Sequence, residues 1–383
     1  MNFQIIENGG ITSPAGYLAG AVYAGVKSRK SYKPDVAILL SEKPDTSCAA
    51  LFTTNRFCAA PVILGREIVK NGHVRGAVIN SGNANAGTGE AGLKAARDVE
   101  AYAEDLLGLA PGELIVSSTG VIGETLPTEK VKDAVRRIVP ALSKDGGGAA
   151  AWAIMTTDRM RKEYACTLEL SGGQVKVGCM AKGSGMIHPN MATTLCFLTT
   201  DAAIEPALLH RLLANACEDS FHMLTVDGDT STNDTLMMFA NGASGVSVRE
   251  PEDIRDFACL LEQILADMAA RIAADGEGAK RLLTVEARGL KTRQEARRIA
   301  MAVAGSTLVK AALGHGRLYE ALILSAAGNV ESDAVFSKAE CRIEVASLKA
   351  KIVLDFHGGD GSARAFGCDL TEEYIHLNGD YRS

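Results

Sequence analysis

Long apolar runs are missing from this 383-residue chain. None approaches the roughly 20 residues that a membrane-spanning helix needs, so no membrane partner is expected. Paired cysteines are missing as well. Cys48, Cys58, Cys166, Cys179, Cys196, Cys217, Cys259, Cys341 and Cys368 are scattered, odd in number and never in a C-x-x-C pair. That pattern excludes a disulfide framework and reads as reduced, mostly buried thiols in a cytoplasmic setting. Positive charge is not in excess: 40 Lys and Arg against 46 Asp and Glu give a net charge of −6 with no basic stripe. Nucleic acid is therefore not an expected partner. Residues 1–10 include Glu7 and have no basic stretch leading into an apolar core, so no secretory leader is expected. The motifs of the commoner cofactor and metal enzymes are also missing. There is no G-x-G-x-x-G after a strand, no phosphate-binding G-x-x-x-x-G-K-[ST], no H-E-x-x-H and no G-x-S-x-G. Gly183-Ser184-Gly185 lacks the third glycine, and of seven dispersed histidines only His188 lies near a candidate site. No metal and no organic cofactor are expected.

What is present is an ordinary globular composition, 47% hydrophobic and 22% charged, at a length that allows two domains or one large layered sandwich. Short apolar runs at 36–40, 76–80, 114–117, 195–199, 282–287, 341–346 and 352–355 read as buried strands. At 174–179 a period of two puts Val175 and Val177 on one face. Helical spacing covers 89–109, 205–220, 251–274 and 292–303. Pro206 stands in a first turn, where its missing N–H costs little. These stripes are read as core. Interleaved strands and helices argue α/β or α+β layers, and Gly146-Gly147-Gly148 reads as a loop or linker.

The chemistry concentrates at 180–201, where a glycine-rich turn runs through Pro189-Asn190 into Ala192-Thr193 and an apolar strand follows. A threonine hydroxyl at a strand mouth is a poor nucleophile without a base. Its own α-amine can be that base, with a pKa of about 8, but only once the preceding peptide bond is cut. Taken alone, the segment is equally a turn followed by a strand.

Gly185-Met186-Ile187-His188-Pro189-Asn190-Met191-Ala192-Thr193 resembles the self-cleavage motif of the glutamate N-acetyltransferase / ornithine acetyltransferase family known as ArgJ. The resemblance spans nearly the whole chain. It takes in Phe52-Thr53-Thr54-Asn55-Arg56, Asn80-Ser81-Gly82-Asn83-Ala84-Asn85-Ala86, Ser118-Thr119-Gly120-Val121-Ile122-Gly123 and Met155-Thr156-Thr157-Asp158. Beyond the junction it includes 225–235, Asp275-Gly276-Glu277-Gly278-Ala279 and 378–383.

That resemblance implies an α/β (α+β) layered sandwich of the ArgJ or DmpA-like type, with mixed sheets covered by helices. It implies cleavage between Ala192 and Thr193 into an α chain, 1–192, and a β chain, 193–383, which stay together and assemble into heterotetramers. Thr193 matches the nucleophile, and Thr119 and Gly120 match the oxyanion hole. Thr156 (or its neighbour Thr157), Lys182, Thr193, Glu277, Asn378 and Ser383 match the substrate contacts. A lysine can meet a carboxylate there and a glutamate an ammonium group. The implied reaction moves an acetyl group from N2-acetylornithine to glutamate through acetyl-Thr193. Acetyl-CoA serves as a further donor in some members, and the resemblance leaves that donor open here. Asp227, Asp229 and Asp234 are expected to be structural.

Two departures stand out. The family's Asn-Trp-Gly-Arg stretch is replaced at 311–318 by a shorter segment with His315 near the tryptophan's place, and the chain ends on Ser383 where threonine is common. Two rivals remain at this point. One is a self-cleaving aminopeptidase-type hydrolase, in which water resolves the acyl-enzyme. The other is a catalytically silent binding protein on the same scaffold.

Overall fold

The computed structural model describes residues 2–27, 32–188 and 194–379. Thr193, Ala192 and Ser383 lie outside these residues. Three sheets organise the rest.

A six-stranded sheet is built from β1 (Asn2–Ile5), β4 (Ser47–Phe52), β7 (Lys162–Leu170), β8 (Gly173–Lys182), β9 (Leu195–Thr200) and β10 (Thr235–Ala240), in the order β1-β7-β8-β9-β10-β4. A four-stranded sheet follows the order β2 (Tyr17–Val22), β3 (Val36–Ser41), β5 (Gly76–Asn83), β6 (Leu114–Val121). A second four-stranded sheet has the order β12 (Glu340–Val345), β13 (Lys349–Asp355), β11 (Leu282–Leu290), β14 (Gly361–Cys368). The helices are α1 (Ala60–Ile68), α2 (Gly89–Leu107), α3 (Thr128–Ile138), α4 (Gly147–Ala153), α5 (Pro206–Glu218), α6 (Pro251–Ala274), α7 (Arg293–Gly305), α8 (Thr307–Gly314), α9 (Glu320–Ala327) and α10 (Glu372–Gly379).

The period of two in a strand explains the layering. On β9, Leu195 and Phe197 enter one core while Cys196 and Leu198 enter another, and on β10 Met237 and Phe239 oppose Leu236 and Met238 in the same way. Both faces of the six-stranded sheet are therefore buried, which requires apolar residues at every position rather than at alternate ones. One face meets Leu209, Leu213, Leu260, Ile264 and Met268 of α5 and α6. The other meets the first four-stranded sheet, whose far side is covered by α1, α2 and α3. The result is a helix–sheet–sheet–helix sandwich, an α/β fold. The third sheet forms its own core with α7, α8 and α9.

Two readings of the sequence are corrected here. Gly147 and Gly148 are the first turn of α4, not a linker, because α4 is held against β2 and β3 and packing outweighs the low helix propensity of glycine. Likewise Ala311 to Gly314 are the last turn of α8, so the irregular segment begins only at His315.

Candidate active site

Two strand ends and one strand start meet between the sheets. β6 ends in Thr119, Gly120 and Val121; β8 ends in Lys182; β9 begins at Leu195, paired with Lys182. Lys182 Nζ donates to Thr119 Oγ1 at 3.3 Å, and both side chains are buried. That bond occupies an acceptor position of the Thr119 hydroxyl and leaves its O–H free to donate elsewhere. Gly120 has φ +135°, and a Cβ there would collide with the backbone of Gly82, so only glycine fits. Asparagines of β5 and of the segment before β10 fix this backbone. Asn80 accepts from Ser118 Oγ at 2.6 Å, and Asn233 donates to Ser118 O at 2.8 Å and Ala84 O at 2.7 Å.

The approach to the junction is clamped by carboxylates. Met186, a non-glycine residue at φ +56°, donates its N–H to Asp227 Oδ2 at 2.6 Å, and Ile187 donates to Oδ1 at 2.7 Å. On the far side of 189–193, Thr194 donates its N–H to Asp234 Oδ1 at 3.0 Å and accepts from Thr235 N at 2.9 Å. Burial pushes the Asp234 carboxyl well above the usual carboxylate range, although it accepts the Thr194 N–H. His188 shares a 3.3 Å hydrogen bond with Thr225 Oγ1, and burial lowers its pKa.

Glu277 lies within electrostatic reach of Lys182, where its charge favours the ammonium form. The Glu277 N–H donates to Ser184 O at 2.8 Å, and its carboxylate lies so close to Gly185 that a Cβ there would push the carboxylate aside. Asn378 Nδ2, from α10, donates to Glu277 Oε2 at 2.8 Å. Glu277, Thr157, Arg159, His315 and His376 line a cavity of about 870 Å³, enough for an amino-acid-sized ligand. Among the described residues no group of three or more His, Cys, Asp or Glu could hold a metal, and no helix is long and apolar enough to cross a membrane.

Residues 18–350 match the model of the ArgJ family. The chain belongs to this family. It is 43% identical to the arginine biosynthesis bifunctional protein ArgJ of Symbiobacterium thermophilum, over 98% of this chain and 99% of the relative. It is 40% identical to the protein of that name from Dehalococcoides mccartyi, over 99% of each.

Of the expected site residues, the structure brings Thr119, Gly120 and Lys182 together in one group and Glu277 and Asn378 in another. Thr156 and Thr157 make different contacts. Thr156 gives its N–H to Asp158 Oδ2 at 3.0 Å, while Thr157 Oγ1 shares a 2.6 Å hydrogen bond with Ser184 Oγ and faces the cavity. His315, the departure from the family pattern, lines the same cavity as Glu277.

Sequence reasoning passed over one set of residues. Lys162 is 0% exposed, and its ammonium sits between Asp158 Oδ1 at 2.7 Å and Asp275 Oδ2 at 2.6 Å. Burial works against the Asp158 carboxylate, yet Lys182 and Lys162 hold its pKa down at about 2. For Lys182, burial lowers the pKa and Asp158 opposes that fall. A buried lysine four positions after an aspartate in a β-rich segment was the available signal.

Proposed function

We propose that this ArgJ family member transfers an acetyl group from N2-acetylornithine to glutamate through an acetyl ester on Thr193, formed after cleavage between Ala192 and Thr193. The observation that carries the reading is the Lys182–Thr119 hydrogen bond beside Gly120, at the end of β8 where its partner β9 begins two residues after Thr193. A hydroxyl held as a donor and a glycine N–H on one strand end suit an oxyanion.

In the proposed sequence the Thr193 hydroxyl oxygen attacks the acetyl carbonyl carbon, and its proton passes to the threonine's own α-amine. The carbonyl oxygen takes up negative charge, which Thr119 O–H and Gly120 N–H stabilise. The C–N bond then breaks, ornithine leaves with the proton from the α-ammonium, and an acetyl ester remains. Glutamate's amine reverses these steps and departs as N-acetylglutamate. Every proton taken is returned, so no further reactant enters.

Lys182 meets the substrate carboxylate and Glu277 an ammonium group, which in N2-acetylornithine is the one on the side chain, with Asn378, Thr157 or Thr156 and Ser383 completing the contacts. The two fragments, 1–192 and 193–383, act as one heterodimer that assembles further into a heterotetramer in the cytoplasm. Whether acetyl-CoA also donates is a separate assay with the same readout.

The test is a trapped intermediate. Brief exposure to N2-acetylornithine alone should leave the fragment beginning at Thr193 heavier by one acetyl group, and added glutamate should discharge it as N-acetylglutamate. Parallel double-reciprocal lines should accompany this. Ornithine release that is fast without glutamate and not accelerated by it would instead mean that water is the acceptor.

A further inference from the structure

Lys162 opens β7 and pairs in register with Ala181, the neighbour of Lys182. Its three ammonium hydrogens are satisfied by Asp158 Oδ1, Asp275 Oδ2 and Met160 O at 3.4 Å. Each carboxylate carries the contact outward. Asp158 Oδ1 also accepts the N–H of Gly183 at 2.8 Å, the residue after Lys182. Asp275 ends α6 and stands one glycine away from Glu277; it also accepts Arg159 Nε at 3.0 Å and Arg159 N at 3.1 Å. A single buried cation thus joins the backbone beside Lys182 to the backbone beside Glu277.

Stability alone gives little reason for such a group. A buried ion triplet replaced by apolar residues of equal volume is often as stable or more so, whereas fixing a geometry is a use that survives that comparison. The third strand of contact, Ser184 Oγ with Thr157 Oγ1 and Ser184 O with Glu277 N, closes the same frame from the other side.

We propose that Lys162, through its ion pairs with Asp158 and Asp275, is a positioning residue that sets the span between Lys182 and Glu277 and so selects the side-chain length of the N2-acetylated diamino acid the site accepts as donor. This rests on the reading that Lys182 and Glu277 meet the two ends of the substrate. Lys162 and Asp158 come from the segment before the cleavage junction and Asp275 from the segment after it, so the frame also spans the two fragments.

The experiment measures kcat/KM for the N2-acetyl derivatives of 2,4-diaminobutyrate, ornithine and lysine as donors, with glutamate as acceptor, in the wild-type enzyme and in Asp275→Asn. Asparagine keeps the size and an acceptor oxygen but removes the charge that holds Lys162. One methylene is worth about 10–200-fold in such a pocket. The preference for N2-acetylornithine over its shorter and longer homologues should fall about tenfold, mainly through a raised KM for N2-acetylornithine. Loss of stability alone lowers the active fraction and leaves the ratio untouched, so an unchanged ratio overturns the proposal. If Asp275→Asn does not give folded, cleaved enzyme, Lys162→Arg carries the same comparison, because it keeps the charge while spreading the two carboxylates. Glu277→Gln separates the two levels. A ratio that shifts there but not in Asp275→Asn or Lys162→Arg defeats the positioning role only. A ratio that ignores Glu277→Gln and Lys182→Met defeats the substrate reading beneath it.

Discussion

Thr119 is the residue whose environment most constrains its chemistry. Its hydroxyl accepts from Lys182 Nζ, lies on a strand end fixed by Gly120 at φ +135°, and is buried. Donors aimed in advance at a developing oxyanion are typically worth about 10²–10³ in rate each. Thr119→Ala should lower kcat by that factor in fully cleaved enzyme while changing KM for N2-acetylornithine far less, because the oxyanion forms only in the transition state. Unchanged turnover would take Thr119 out of the chemistry. The sequence made this residue legible only through its Ser-Thr-Gly context, since a threonine after an apolar run reads as a strand terminus. Lys162, Asp158 and Asp275 were less legible still. Lys162 meets Asp275 across 113 positions, and no local period or spacing records a contact of that range.

Among elements, side-chain size explains only part of the legibility, since β10 carries Leu236, Met237, Met238 and Phe239 and yet is not among the runs that read as strands. Runs rich in Val, Ile and Leu, such as those of β3 and β11, stood out, as did the long stripe of α6. By contrast β2, Tyr17-Leu18-Ala19-Gly20-Ala21-Val22, and β4, Ser47-Cys48-Ala49-Ala50-Leu51-Phe52, are built of small residues with weak strand preference and are strands because of their sheet neighbours. β6 outran its expected end at 117 because Ser118, Thr119 and Gly120 pair with Asn80, Ser81 and Gly82, so the polar residues that seemed to stop the strand continue it. Helix α2 carries a liability of its own. Burial, with Glu104 nearby, raises the Glu100 pKa to about 7. In the unfolded chain that carboxyl titrates near 4.5. Folding is therefore opposed increasingly as pH rises from about 4.5 through 7, with the full penalty above that. Glu100→Gln should match wild-type thermal stability near pH 4 and exceed it by about 3 kcal/mol at pH 8, on the scale of 1.36 kcal/mol per pKa unit. A difference that does not grow with pH would mean that Glu100 is not neutralised in the folded state.

At the scale of the whole molecule, the order β1-β7-β8-β9-β10-β4 decides what cleavage can do. β9 and β10, from the segment after the junction, sit between β8 and β4, from the segment before it, and are hydrogen-bonded on both outer edges. The core above this sheet joins Cys179 and Val177 to Leu209, Ile264 and Met268, and the core below joins Phe197 and Phe239 to Ile79 and Leu39. Cutting before Thr193 would remove one covalent link from this body and none of its sheet hydrogen bonds or buried apolar contacts. Separating the pieces would expose both faces of the central sheet, at about 25 cal/mol for each Å² of apolar surface uncovered. The cleaved protein should therefore show two fragments of nearly equal mass under denaturing electrophoresis, the second beginning with Thr193, and a single species on native sizing. Thr193→Ala should remain one chain of 40.2 kDa, inactive, with a native elution matching the wild type. Heating the cleaved enzyme should give one cooperative transition seen identically by fragment-specific probes. Fragments that elute apart without denaturant, or a Thr193→Ala chain that is still cut, would overturn the placement of the junction between β8 and β9.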